Sequence, residues 1–119
     1  MLRPATLDDL DNLVELENIS FEIDGFTRRV FRYLISSAHA EMLVSMSGDK
    51  LCGYVVVLFH SGTSLARLYS LAVHPDCQQQ GLGARLLHAA EQVALDHNCI
   101  TLRLEVRTDN DSAIRLYRK

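Results

Sequence analysis

The stretch best suited to chemistry runs from Leu71 to Ala84, Leu-Ala-Val-His-Pro-Asp-Cys-Gln-Gln-Gln-Gly-Leu-Gly-Ala. An apolar strand runs into His74-Pro75, a polar loop follows, and Gly81 and Gly83 open a long amphipathic segment. A Gly-rich turn at a helix start leaves several backbone N–H groups without intrahelical partners. Those groups, with the positive end of the helix dipole, make a ready site for a phosphate. Glycine carries no side chain, so a bulky anion can approach the backbone closely. The pattern therefore points to a strand–loop–helix cradle for a pyrophosphate.

The elements that must hold this cradle can be read from periodicity. Leu2-Arg3 ends a short first strand, and Thr6-Leu7-Asp8-Asp9 resembles a capping box with Asp in place of Glu or Gln. Leu10, Leu13, Val14 and Glu17 follow at helical spacing, which predicts a helix over about Leu7 to Ser20. Phe21 to Thr27 reads as a loop, and Val30, Phe31, Leu34 and Ile35 mark a second helix from Arg28 to Ser37. Three strand signals follow, Glu41 to Met46, Leu51 to Phe59 and Leu65 to Val73. They are separated by the turns Ser47-Gly48-Asp49 and His60-Ser61-Gly62-Thr63. Tight turns argue for antiparallel pairing, and the long valine-rich run Leu51 to Phe59 suggests a strand buried on both faces. After the cradle, Leu82, Leu86, Leu87, Ala90, Val93 and Ala94 predict a helix through Asp96, ended at His97-Asn98. Ile100 to Arg107 alternates, with Leu102, Leu104 and Val106 on one face and Arg103, Glu105 and Arg107 on the other. A strand, a crossover helix and another strand require a parallel pair. Asp109-Asn110-Asp111-Ser112 caps a last helix carrying Ala113, Ile114 and Tyr117. The order is β-α-α-β-β-β-α-β-α, an α+β fold with a mixed sheet, antiparallel early and parallel late.

The bulk properties narrow the function classes. With 119 residues the chain suits a single domain spanning 1–119. A net charge of −3 gives no electrostatic footprint for nucleic acid or an anionic membrane, but backbone amides can still bind a phosphate locally. No apolar run approaches the roughly 20 residues of a membrane span, and the N-terminus lacks a signal-peptide core. Cys52, Cys77 and Cys99 form no paired or zinc-binding pattern, which favours reduced thiols and a cytoplasmic location. Cys77, although in the cradle loop, reads as a small residue tolerated there. None of the five histidines pairs at ligand spacing, so no metal is expected. On residue type alone, Glu105 between two arginines reads as a cross-strand ion-pair partner, Tyr117 as a core or rim aromatic, and Asn110 as a helix cap.

Two segments together resemble a known family. Gln78-Gln79-Gln80-Gly81-Leu82-Gly83, directly after a Leu-Ala-Val strand, is similar to the Gln/Arg-x-x-Gly-x-Gly/Ala signature of the GNAT family of N-acetyltransferases. Leu104-Glu105-Val106-Arg107 through Asn110, Ala113-Ile114 and Leu116-Tyr117 resembles the branch that contains ribosomal-protein alanine N-acetyltransferases. The first motif alone is a weak signal; joined to the second at the expected distance it is strong. The resemblance implies acetyl-coenzyme A as co-substrate and a primary amine as acceptor, with a protein N-terminal α-amine leading and small-molecule amines remaining open. By position it implies that Gln78, Gln79, Gln80, Gly81, Leu82, Gly83 and Ala84 form the pyrophosphate cradle. It also implies that the backbone of Leu71, Ala72 and Val73 pairs with pantetheine as an added strand, and that Asn110 bonds the cofactor. A strand bulge is expected to free the amide of Val73 for the thioester carbonyl. Glu105 falls on the general base and Tyr117 on the general acid.

The required chemistry agrees with those roles. Acceptor amines titrate at about 8 for an α-amine and about 10.4 for lysine, so most are protonated at neutral pH, and only the neutral amine attacks a thioester. A carboxylate can take that proton and a phenol can return one to the departing thiolate. Two rival readings stay open. A non-catalytic acyl-coenzyme A module needs the cradle but neither Glu105 nor Tyr117. A different nucleotide-binding fold is disfavoured because no P-loop lysine follows the glycines. The family usually continues through two further strands past the position of Tyr117, and their absence here suggests C-terminal truncation. The sheet edge left exposed would invite pairing with a second copy. The Phe21 to Arg29 segment, between the first two helices, is the expected place for acceptor contacts, with Phe26 and Arg28 as candidates.

Overall fold

The computed structural model describes residues 2–20, 26–60, 62–78 and 80–104. Strand β1 (Leu2–Pro4) leads into a 3₁₀ turn over Leu7–Asp9 and helix α1 (Leu10–Ser20). The helix expected from Leu7 thus opens with a tighter first turn. The cause is Asp9, whose N–H donates to the Thr6 carbonyl at 2.9 Å while its carboxylate accepts from the Thr6 N–H at 2.8 Å. Arg3 donates to both oxygens of the same carboxylate, each at 2.8 Å. This pair holds the buried Asp9 carboxyl below its ordinary range and ties β1 to the start of α1. Helix α2 (Arg28–Ser36) starts at Thr27, whose hydroxyl accepts from the Val30 N–H at 3.3 Å.

Strands β2 (Ala40–Ser47), β3 (Lys50–Phe59) and β4 (Leu65–Val73) form the expected antiparallel meander, with β1 on the outer side of β2. A second 3₁₀ turn (Pro75–Cys77) precedes helix α3 (Leu82–Asp96), which crosses over to β5 (Thr101–Leu104). β5 pairs parallel to β4, from Leu65↔Thr101 to Leu68↔Leu104, so the sheet order among the described strands is β1-β2-β3-β4-β5. α3 ends where the sequence indicated: Asn98 takes a left-handed φ of 60°. Its N–H bonds the Leu95 carbonyl at 3.0 Å, and the Cys99 N–H bonds that of Ala94 at 2.9 Å. Within β5, Leu102 is half-buried but Leu104 is 41% exposed, so the expected alternation does not bury every leucine of that face. Glu105 to Arg107 and the helix expected after Ser112 lie outside the described residues.

Helices α1 and α2 cover one face of the sheet and α3 the other. Leu10, Leu13, Leu16, Phe31 and Leu34 pack on Met42, Val44, Tyr54, Val56 and Ala72. On the opposite face, Leu82, Leu86, Ala90 and Val93 pack on Val55, Val57, Ala66, Leu68, Leu71 and Val73. β3 is buried on both faces from Leu51 to Val57, as its unbroken apolar run implies.

Two bulges interrupt this regular alternation. Ser45 faces Gly53 and Met46 faces Leu51, which leaves Cys52 without a cross-strand partner on β2. Val56 faces Ser70 and Val57 faces Leu68, which leaves Tyr69 without one on β3. Each bulge adds a residue and shifts the facing of the strand beyond it.

Gly53 lets α3 sit close to the sheet. A Cβ there would lie 2.8 Å from the Ala72 carbonyl oxygen and 3.1 Å from Leu86 Cδ1. The backbone oxygen cannot yield, so Gly53→Ala must push β3 away from β4 or lift the first turn of α3. The expected outcome is a loss of about 1–3 kcal/mol in chemical denaturation, the usual range for overpacking. An unchanged denaturation midpoint would show that the helix does not depend on this clearance.

Candidate active site

The site is built on the path from β4 into α3. Leu71, Ala72 and Val73 are buried and pair with Val55, Tyr54 and Gly53 of β3. Leu71 and Val73 contribute to the core on the α3 side and Ala72 to that on the α1/α2 side. Their side chains are thus committed to packing, and backbone groups are what they can offer a ligand. Pairing with β5, among the described residues, stops at Leu68.

β4 carries a bulge, as expected of this strand. It lies at Tyr69, four residues before Val73, and Val73 itself is in regular register with Gly53. The consequence is visible in side-chain facing. Ala66 and Leu68 before the bulge, and Leu71 and Val73 after it, all belong to the α3-side core. Tyr69 and Ser70 both turn to the α1/α2 side, where Tyr69 stacks on Phe26 with ring centroids 5.4 Å apart and Ser70 meets Tyr54 at 2.8 Å.

Beyond Val73 the chain is bolted to β3. The His74 N–H donates to the Cys52 carbonyl at 2.7 Å, and the Cys77 N–H returns to the His74 carbonyl at 2.9 Å. The His74 ring Nδ1 accepts from the Asp76 N–H at 3.1 Å, and Lys50 pairs with Asp76 at 3.0 Å, which lowers the Asp76 carboxyl pKa. Gln78 reaches back with its side-chain amide to the Val73 carbonyl at 3.5 Å. Gln78 and Gln80 are exposed, and Gln79 lies outside the described residues.

Gly81 is the N-cap of α3 with φ 75° and ψ 11°, a left-handed conformation that favours glycine, and no side chain caps the helix. Space above it is open: a Cβ at Gly81 would meet nothing within 4 Å. The Arg85 N–H makes the first intrahelical bond, to the Gly81 carbonyl at 3.1 Å. The amides of Leu82, Gly83 and Ala84 therefore sit in the uncapped first turn, at the positive end of a 15-residue helix. The Leu82 side chain is buried and anchors this turn, Gly83 is half-buried, and Ala84 is exposed. Uncapped amides beside an open left-handed glycine are a donor set that fits a pyrophosphate. Glu105, Asn110 and Tyr117 lie outside the described residues.

On the α1/α2 side the structure ties together residues that the sequence reading named only singly, Glu17 for its helical spacing and Phe26 as a candidate acceptor contact. Glu17 is fully buried and its carboxylate accepts from the Phe26 N–H at 2.7 Å and from the Tyr54 hydroxyl at 2.5 Å. The available signal was a carboxylate at a helical position whose neighbours in spacing are apolar. Phe26 is half-buried against Tyr69, while Arg28 is engaged in an ion pair with Asp11. A cavity of about 470 Å³ opens beside Tyr69, lined by Val30, Tyr33, Leu34, His39 and Phe59 among others. Among the described residues, no three His, Cys, Asp or Glu side chains cluster as metal ligands. No helix among the described residues is long and apolar enough to cross a membrane.

Among the described residues, a five-stranded mixed sheet with a bulged fourth strand feeds a glycine-turned helix, an arrangement that the family comparison assigns to a class, the acetyltransferases. The chain belongs to the acetyltransferase (GNAT) family, whose pattern matches residues 8–119. It is 32% identical over 116 residues to the N-alpha-acetyltransferase RimI of Mycobacterium tuberculosis, covering 95% of this chain and 72% of that protein. It is 27% identical over 117 residues to the thialysine N-epsilon-acetyltransferase of Bos taurus, covering 96% and 69%. The structure of PaiA N-acetyltransferase from Thermoplasma acidophilum in complex with coenzyme A superposes with a TM-score of 0.84 at 19% identity, covering 99% of this chain and 86% of that one. The protein is thus an acetyl-coenzyme A-dependent N-acetyltransferase.

Cys77 also has a settled character. Burial, with the adjacent Cys52 thiol, pushes its pKa up from the ordinary 9.0 to about 11. The thiolate is the reactive form, so the folded protein should resist an aromatic disulfide reagent at pH 8, all three buried thiols reacting only after denaturation. The linkage sign follows: the unfolded chain loses this proton first, so the contribution to stability is present below pH 9.0 and declines as pH rises towards about 11. Rapid labelling of Cys77 in the folded state would contradict this.

Proposed function

We propose that residues 1–119 act as one acetyltransferase unit that transfers an acetyl group to a protein N-terminal α-amine, by direct attack in a ternary complex. The observation that carries the reading is the uncapped start of α3, with Gly81 held left-handed beside open space. The backbone amides of Gln79, Gln80, Gly81, Leu82, Gly83 and Ala84, with Gln78 at their edge, hold the pyrophosphate. The backbone of Leu71, Ala72 and Val73 aligns the pantetheine arm, and Asn110 adds a hydrogen bond to it. Bound acetyl-coenzyme A supplies an activated acyl group as a thioester.

The chain's own residues supply the rest. Glu105 takes the proton that a neutral attacking amine must lose, directly or through water, and Tyr117 returns a proton to the departing sulfur. Holding both substrates together removes much of the entropic barrier. These two roles rest on the match to the family motif. The N-terminal acceptor is supported by the kinship with an N-alpha-acetyltransferase and by the apolar and aromatic cavity beside Tyr69, which suits a side chain next to the amine. A second reading, a free small-molecule amine as acceptor, is favoured by the kinship with a thialysine acetyltransferase.

Calorimetric titration with acetyl-coenzyme A tests the first half. Gly83→Glu places a carboxylate in the first turn of α3, where it suits the helix dipole but repels a pyrophosphate. Wild type should bind and the variant should lose at least 10-fold in affinity. No binding by a folded wild-type chain would remove the cradle reading. Turnover with an alanine-initiated peptide should then fall about 10²–10⁴-fold in Glu105→Gln, the usual range for loss of a general base, and fall also in Tyr117→Phe. A higher kcat/KM for thialysine than for the peptide would replace the N-terminal acceptor with a small amine.

A further inference from the structure

The bulge in β4 is held from outside the strand, and two holds among the described residues lead to one residue. Tyr69 and Ser70 are consecutive and both face the α1/α2 side. Tyr69 stacks on the Phe26 ring, with an interplanar angle of 19°, and the Phe26 N–H donates to Glu17 Oε2 at 2.7 Å. Ser70 Oγ lies 2.8 Å from the Tyr54 hydroxyl, which donates to Glu17 Oε1 at 2.5 Å. With its one proton committed to Glu17, Tyr54 can only accept from Ser70, so the donor direction runs from β4 through β3 into α1. Glu17, Tyr54 and Ser70 are 0%, 0% and 3% exposed, so water does not compete for these bonds.

A buried carboxylate is costly and needs a reason to be there. Packing does not supply one, since a leucine at position 17 would join Leu13 and Leu16 in the same core. What the carboxylate does, and an apolar side chain could not, is fasten two donors that converge on the irregular segment of β4. We propose that Glu17 is a positioning residue for acetyl transfer: through Tyr54 and Ser70, and through Phe26 and Tyr69, it fixes the bulge and so the course of the backbone that follows it, Leu71 to Val73. The inference rests on the reading that this backbone aligns the acetylated arm of the co-substrate.

Two readouts separate the holding of the bulge from its use. The first is amide hydrogen exchange in the ligand-free protein. Ser70→Ala and Tyr54→Phe each remove one hydroxyl with little change of shape, and Glu17→Gln replaces an acceptor oxygen by a donor. Exchange at residues 69–71 should rise at least 10-fold in each variant, while the interior amides of α3 stay within twofold of wild type. Unchanged exchange at the bulge in Ser70→Ala and Tyr54→Phe would overturn the proposal, whether or not Glu17→Gln folds. The second readout is the split between kcat and KM with acetyl-coenzyme A and an alanine-initiated peptide. We expect kcat to fall at least 10-fold with KM for acetyl-coenzyme A within twofold. The double variant Glu17→Gln/Ser70→Ala should be no more than twofold slower than Glu17→Gln, because the two act along one chain. Losses that multiply would overturn the shared circuit. Faster exchange with an unchanged kcat would instead overturn the placement of the acetylated arm at this strand, leaving Glu17 as the holder of the bulge alone.

Discussion

The extra residue at Tyr69 is the constraint on which the rest of the site depends. A strand alternates faces with a period of two, and one added residue reverses that alternation beyond it. In β4 the reversal is placed so that Ala66 and Leu68 on one side, and Leu71 and Val73 on the other, all reach the same α3-side core. The two residues between them, Tyr69 and Ser70, are both turned to the opposite layer. Packing on the two faces thus demands the bulge, and the bulge sets the register of the backbone that leads into α3. The Ser70 hydroxyl beside the bulge is met by Tyr54, which in turn is held by Glu17.

The start of α3 shows the complementary arrangement, in which side chains anchor and the first turn is left uncapped. Leu82 and Leu86 are buried against the sheet, and Gly53 opposite them has no Cβ to hold the helix off. Gly81 supplies the left-handed turn that starts α3, with open space at its own Cβ position. The loop before it is fastened through His74, Cys77 and the Lys50–Asp76 pair rather than through the residues that face outward. Donors fixed in this way need little rearrangement to meet an anion, which is where preorganised backbone amides gain over mobile side chains.

Family membership establishes the reaction and leaves the acceptor to be argued locally. The same fold carries relatives named for an N-terminal amine and for a small thialysine. The α3 side is built from a strand, a glycine turn and a helix whose first turn is uncapped. The α1/α2 side differs in kind. It holds the cavity beside Tyr69, the Phe26 ring stacked on Tyr69, and the buried Glu17 that accepts from the Phe26 N–H.

Much of the scaffold was legible in the residues because it rests on local rules. Period-two and period-3.6 patterns placed the meander and the helices, Asn98 ended α3 as its tolerance of left-handed backbone suggests, and the crossover through α3 required the parallel β4–β5 pair. The Gly81 turn was legible for the same reason: left-handed backbone has a glycine signature. Tertiary structure alone decided the position of the bulge. A surplus residue is defined by what lies across the ladder, so no pattern within Leu65 to Val73 could locate it at Tyr69. It alone also gave Glu17 a purpose, because the groups that justify burying a carboxylate are the hydroxyl of Tyr54, 37 residues away in sequence, and the backbone of Phe26 beyond the end of its own helix. Propensity and periodicity act between neighbours in the chain, whereas register and buried polar pairing are settled between elements that meet only when the sheet is assembled.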